Sequence, residues 1–205
     1  IPQYQWKRLA VEASAIIGSI LFAFAVDAWW DDHQTDLKTQ EILDAVRLEM
    51  QSNLSNLQDS IAHHEDIANA IRKAQDQKST NGVHSIAVLD VEVFEANTGA
   101  LDTLIATGML GEIDEPELQI SLGAFTGLAT DLRERESRAV EFRDAARRRI
   151  AAIGETIWDS GADRTLTDVH MLNLIVMRGV EESDAIESGR RLEKHLVRLL
   201  GLLDA

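Results

Sequence analysis

Apolar and polar positions change rhythm along this chain. Leu9 to Val26 holds a single charge, Glu12, and Ala13 to Val26 holds none. Beyond it, from Asp36 to about Lys78, the apolar positions become periodic. Met50, Leu54, Leu57, Ile61, His64, Ala68 and Ile71 follow one another in steps of four and three, with polar residues between. That spacing predicts a helix with a narrow seam of the coiled-coil kind. Such a helix would run for about 43 residues, or roughly 65 Å. The seam needs a partner helix, either from this chain or from another copy.

Punctuation supports long helices. The chain has two prolines, Pro2 and Pro116, and no glycine between Gly18 and Gly82. An interval that long without a breaker favours helix throughout. The apolar run is therefore expected to continue into the periodic helix, until Asn81-Gly82 turns the chain. Ile86 to Phe94, "IAVLDVEVF", is rich in valine, but no second clear strand exists to pair with it, so a helix with Phe94 facing the core is expected. Thr98 to Thr107 reads as a short helix stopped by Gly108. Asp114, Pro116 and Glu117 form an Asp-x-x-Glu start for a helix that could reach Trp158. "DSGADRT" is a loop. Thr167 is expected to cap a helix ending at Arg178, and Glu181 to Leu203 to form the last one. Leu192, Leu196, Leu199 and Leu203 give it an apolar stripe. The fold class is all-α: one N-terminal transmembrane helix continuing into a long helix and an elongated antiparallel bundle.

Three readings of the apolar run compete: a buried core helix, a cleaved signal peptide and a membrane span. Fourteen uncharged residues alone would favour a core helix, since a span takes about 20 residues. The flanks shift the balance. Tyr4, Trp6, Lys7 and Arg8 precede the run, and Trp29 and Trp30 follow it. Trp6 and Trp29 would stand roughly 35 Å apart on a helix, one at each headgroup layer. A signal peptide would use Lys7-Arg8 as its basic region and Ala23-Phe24-Ala25 as its cleavage site, but Glu12 interrupts the start of its apolar region. A retained span is expected: residues 1–8 as cytoplasmic flank, 9–30 as span and 31–205 as extramembrane domain. Two bases lie in the eight residues before the span, and Lys38 is the sole base in the sixteen residues after it. The positive-inside rule then places the N-terminus in the cytoplasm and the domain in a bacterial periplasm. The chain opens on isoleucine, so residues upstream of Ile1 are expected.

Composition narrows the function classes. Of 205 residues 45% are apolar, enough for a packed core; 35 acids against 20 bases leave a formal charge of −15. That charge argues against a nucleic-acid binder, which needs a basic surface. The absence of cysteine excludes disulfides, thiolate catalysis and cysteine metal sites. No phosphate loop, dinucleotide fingerprint or triad spacing is present, and no cofactor is implied.

Candidate contacts are few. Glu12 would sit in the apolar zone roughly 9 Å below the interface. It either contacts a neighbouring membrane helix or snorkels toward the headgroups beside Arg8. Ser14, Gly18 and Phe22 lie on one helix face and could pack in the membrane, or simply face lipid. Met50, Leu54, Leu57 and Ile61 are the helix–helix positions. His63-His64-Glu65-Asp66 invites a metal reading, but neighbours about 100° apart chelate poorly, and a solvated surface is expected. His33 beside Asp31 and Asp32 reads as a wet cluster; His84, His170 and His195 stand isolated. "DLRERESRAVEFRDAARRRI" reads as a salt-bridged, solvated face.

Two segments carry a resemblance. "VEASAIIGSILFAFAVDAWWDDHQ", with Glu12, Ala23 and Trp29, and "ALDTLIATGMLGEIDEPELQISLGAF", with Leu104, Gly108, Leu110, Ile113 and Leu118, resemble a family of bacterial single-span proteins of unknown function, the DUF6090-like group. Together they cover about a quarter of the chain. Ala28 and Ser19 depart from its pattern, which more often has a polar residue and a glycine there. The resemblance implies a membrane-anchored helical domain and no reaction. The expected function is a non-enzymatic accessory or scaffold subunit of a larger membrane complex, with the lipid bilayer and other subunits, of a respiratory or photosynthetic assembly for example, as partners. The alternative is a stand-alone homo-oligomeric sensor or envelope spacer.

Overall fold

The computed structural model describes residues 2–77, 91–153 and 169–204. These residues are helical apart from short connections, with no strand among them. Helix α1 (Pro2–Gln77) runs unbroken for 76 residues, about 114 Å. Helix α2 (Gly99–Ala106) is short. A single 3-10 turn (Met109–Glu112) leads to α3 (Pro116–Ile153) and, further on, α4 (Val169–Leu203).

Helix α4 packs against both α1 and α3. Its partners fix the directions. Arg47 meets Asp204, Gln58 meets Glu193 and Glu65 meets Arg190, so α1 and α4 are antiparallel. Glu117 meets Arg198 and Arg138 meets Glu181, so α3 and α4 are antiparallel too. Helices α1 and α3 are therefore parallel, and the chain must travel back down between them. It does so through a strap, residues 91–98, and α2, which packs on α1.

Each long helix buries a heptad seam. On α1 it runs Val46, Met50, Asn53, Leu57, Ser60, His64, Ile67 and Ile71; on α3, from Leu118 through Leu122, Phe125, Ala129, Leu132, Glu136 and Ala139; on α4, from Ile175 through Arg178, Glu182, Ala185, Leu192, Leu196 and Leu199 to Leu203. Steps of three and four keep one stripe turned inward along all three rods. The seam read from the sequence holds at Met50, Leu57, His64 and Ile71, and Ile61 and Ala68 are buried along its edge. At Leu54 it is one residue off, about 100° round the helix: Asn53 takes the central position and Leu54 packs partly buried beside it. The partner that the seam requires is in this chain.

Several expected boundaries move. Residues 91–94 are not helical, although Phe94 is buried as expected. Helix α4 does not break at Arg178, because Gly179 sits where α1 comes close; a Cβ there would lie 3.2 Å from Ile71 Cγ2. Helix α3 starts at Pro116, and its first turn closes on the Glu115 carbonyl through Gln119 N at 3.2 Å, so the cap position is one residue beyond Asp114. Glu117 turns to Arg198 rather than back along its own helix. Gly108 has φ of 78° and ends the α2 region, as its place in the sequence predicts. Asn81-Gly82, Ile86 to Asp90, Trp158, "DSGADRT" and Thr167 lie outside the described residues.

A second glycine sets the α1–α4 spacing. A Cβ on Gly189 would stand 2.8 Å from Ile61 Cγ1, close to a stiff, β-branched core side chain. Gly123 is exposed on α3, and a Cβ there meets nothing within 4 Å. Alanine should therefore act oppositely at the two sites. Gly123→Ala is expected to stabilise by roughly 0.5–1 kcal/mol through helix propensity. Gly189→Ala should lose that gain to overpacking, about 1–3 kcal/mol, and melt lower than the parent. Thermal unfolding followed by circular dichroism tests both; equal shifts would contradict this packing.

Candidate functional site

Two places stand out. The first is one layer of the bundle core that is polar. His64, Glu136, Arg178 and Glu182 occupy seam positions on α1, α3 and α4, each with a side chain at most 1% exposed. His64 Nδ1 lies 2.6 Å from Glu182 Oε2, and Nε2 lies 3.1 Å from Glu136 Oε1. Arg178 pairs with Glu182 one turn along the same helix and donates to the Ala139 carbonyl on α3 at 2.5 Å. Ser60 donates to Glu136 Oε1 at 3.3 Å.

The charges balance if His64 is protonated: one imidazolium and one guanidinium against two carboxylates. Burial by itself pushes the His64 pKa down. The hydrogen bonds and charges of Glu136 and Glu182 more than reverse this and hold it at about 9, against an ordinary 6.5. The folded state thus binds the proton more tightly than the unfolded chain. Its contribution to stability is full below pH 6.5 and is lost as pH rises through 9. The shift corresponds to at most about 3 kcal/mol. Urea midpoints measured from pH 6 to pH 10 should fall accordingly, and His64→Gln should remove that part of the slope. An unchanged pH profile in the variant would exclude the bridging proton.

Both ring nitrogens of His64 are spent on carboxylates on opposite sides of the ring. That leaves no nitrogen for a metal, and no cluster of metal-binding side chains occurs among the described residues. The sequence gives His64 both a seam position and a place in a solvated His-His-Glu-Asp run, and puts Glu136 on a solvated face; the structure buries both. The reason is the seam. His64 is in register with Leu57 and Ile71, Glu136 lies four residues after Leu132, and Glu182 lies three before Ala185. His64 already stands in the α1 seam, and extending the other two apolar stripes by one step would have located Glu136 and Glu182. His63 is half-buried and lies 3.7 Å from Glu92. His195, partly buried, donates from Nε2 to the Ser121 carbonyl at 2.8 Å. The side chain of His170, and His84 altogether, lie outside the description. The expected salt-bridged face is present elsewhere on α3, where Arg135 pairs with Asp131 and Asp184.

The second place is the N-terminal part of α1. Every residue from Ala10 to Asp31 is exposed, and the large apolar side chains among them, Val11 to Trp30, are 44–72% exposed on all sides of the helix. A soluble surface helix would show one apolar face. Burial in the core is therefore excluded for this run. Among the described residues, one helix is long and apolar enough to cross a membrane, and it is α1. Ser19 turns its hydroxyl back onto the Ala15 and Ile16 carbonyls at 2.9 Å, which satisfies it without water. Tyr4, Trp6, Lys7 and Arg8 lie at the start of the helix, and Trp29 and Trp30 at the other end of the apolar run. His33 stacks on Trp29 with ring centroids 5.7 Å apart. Ser14, Gly18 and Phe22 share a bare face, and no other element of the described chain comes near Gly18. Glu12 is exposed on the same segment. No family model, curated protein or solved structure matches the chain.

Proposed function

We propose that the protein is a non-enzymatic, single-span membrane protein whose helical domain serves as an accessory or scaffold subunit of a larger membrane complex. One observation carries this. A 21-residue apolar stretch projects bare from a bundle that is already closed on itself. Its lateral surface has no use in water. Membership of the DUF6090-like group belongs to the same proposal, as does an inner-membrane location with the N-terminus in the cytoplasm and the bundle in the periplasm. The bases Lys7 and Arg8 and the acids Asp27, Asp31, Asp32 and Asp36 support that orientation. Glu12, Ser14, Gly18 and Phe22 are the residues offered to a neighbouring membrane helix. Because the α1 seam is spent on α4, self-association would have to use the span instead.

Purification from native membranes in a mild detergent tests the proposal. Copurification of other integral subunits in fixed ratio is expected. A free monomer with nothing bound would overturn the subunit role, and a domain digested by protease only in broken cells, not in spheroplasts, would overturn the orientation.

A further inference from the structure

The strap at residues 91–98 has no regular structure, yet it is held at two levels, and the start of α2 that follows it at a third. Side chains of the helices, not backbone, supply the bonds. Asn53 on α1 reads the Asn97 backbone twice: Nδ2 donates to the carbonyl at 2.7 Å, and Oδ1 accepts from the amide at 2.8 Å. Glu136 Oε2 on α3 accepts from the Phe94 amide at 2.9 Å. Glu49 accepts from the amides of Ala100 and Leu101, at 2.8 and 3.2 Å, and so caps α2 where Thr98 does not. The Phe94 side chain is in the core.

One carboxylate belongs to both systems. Glu136 uses Oε2 for the strap and Oε1 for His64 and Ser60. Fully buried, it keeps its charge at low cost only while a cation faces it. Arg178 pairs with Glu182 and donates to the Ala139 carbonyl. Glu136 faces the His64 ring, whose Nε2 lies 3.1 Å from Oε1. A neutral imidazole donates from one nitrogen only, so Glu136 and Glu182 would then compete for it. Nearby, His63 on α1 pairs with Glu92, which lies in the strap itself.

We propose that Glu136 makes the strap a latch: residues 91–98 stay docked while His64 bridges Glu136 and Glu182 as a cation, and come free, with Phe94, when the bridge is lost. A buried carboxylate left without its cation gains by swinging toward water, and the Phe94 amide then loses its acceptor. Residues 91–98 open while the three long helices remain packed, since their apolar layers on either side are untouched. The high pKa of His64 keeps the latch shut at neutral pH and sets the alkaline side as the direction of release.

Hydrogen exchange read by mass spectrometry on the full chain in detergent tests this, with rates corrected for intrinsic chemistry at each pH. Between pH 7.5 and pH 10, protection of the Phe94 and Asn97 amides should drop at least tenfold more than that of the cores of α3 and α4, whose own loss should match the fall in global stability that urea reports over the same range. His64→Gln should show the lowered strap protection already at pH 7.5. Glu136→Gln keeps an acceptor for Phe94 but carries no charge, so its strap should stay protected and lose the pH dependence. Strap and core amides losing protection by the same factor, in the parent or in His64→Gln, would mean that the strap opens only with global unfolding and would overturn the latch. So would a strap in Glu136→Gln that responds to pH as the parent does.

Discussion

Arg178→Met is expected to cost the bundle about 3–5 kcal/mol of unfolding free energy, the penalty for removing one partner of a buried ion pair. Methionine fills much of the same volume, so the loss is electrostatic rather than a cavity. What remains is a layer with two carboxylates and one imidazolium, none of them in contact with water. The Ala139 carbonyl also loses its extra donor. The size of the effect follows from where the charge is left. Surface pairs on the same helices, such as Arg190 with Glu65, lie in high dielectric and contribute about 0–1 kcal/mol each. Adding Glu182→Gln to Arg178→Met neutralises the stranded carboxylate, so the double variant should be more stable than Arg178→Met alone. Urea unfolding of the three variants gives the coupling directly. A single-variant loss below about 1 kcal/mol would show that the layer is solvated, contrary to its burial.

The second large effect concerns location. Removing residues 1–30 should move the chain from the membrane pellet to the soluble fraction and leave the bundle intact. Ten large apolar side chains between Val11 and Trp30 are exposed. Each contributes about 1.5–3 kcal/mol on leaving water, so together they exceed 10 kcal/mol of attraction for an apolar phase. None of them supports the core, whose first buried residue on α1 is Thr39. The truncated chain should therefore keep its helical signal and melt within a few degrees of the parent. If it stayed with the membrane after a high-salt wash, the proposed anchor would lie elsewhere.

The long-range features were legible in the sequence where they repeat. A breaker-free interval gave α1, the four-and-three spacing gave its seam, and the leucine stripe gave the buried face of α4. Gly108 was legible because only a left-handed turn needs glycine there. What escaped notice depends on contacts between distant residues. Nothing local tells that Glu49 caps α2 or that Asn53 holds Asn97. Gly179 reads as a helix end until α1 is seen to pass beside it. The polar layer was hidden for a different reason. Glu136 lies within a run of charges, and there composition outweighed register; His64 stands in the seam, but its neighbours His63, Glu65 and Asp66 suggest a solvated surface. The heptad frame on three helices would have corrected that, since a charge at a seam position calls for an opposite charge on the facing helix. The apolar stretch was legible from its run of residues and aromatic flanks, and the structure adds that none of the described bundle covers it.

The continuity of α1 through Trp30 has a mechanical consequence. No loop decouples the apolar stretch from the bundle; the segment between Trp30 and Thr39 is helix, about 13 Å long. His64 stands roughly 51 Å beyond Trp30 on the same rod. A tilt of about 5° at the anchor, well inside the range that bilayers impose on single helices, would carry His64 sideways by on the order of 4 Å. Changes in bilayer thickness or in a neighbouring helix would thus be amplified along a lever arm, with α3 and α4 riding on its far half as cargo.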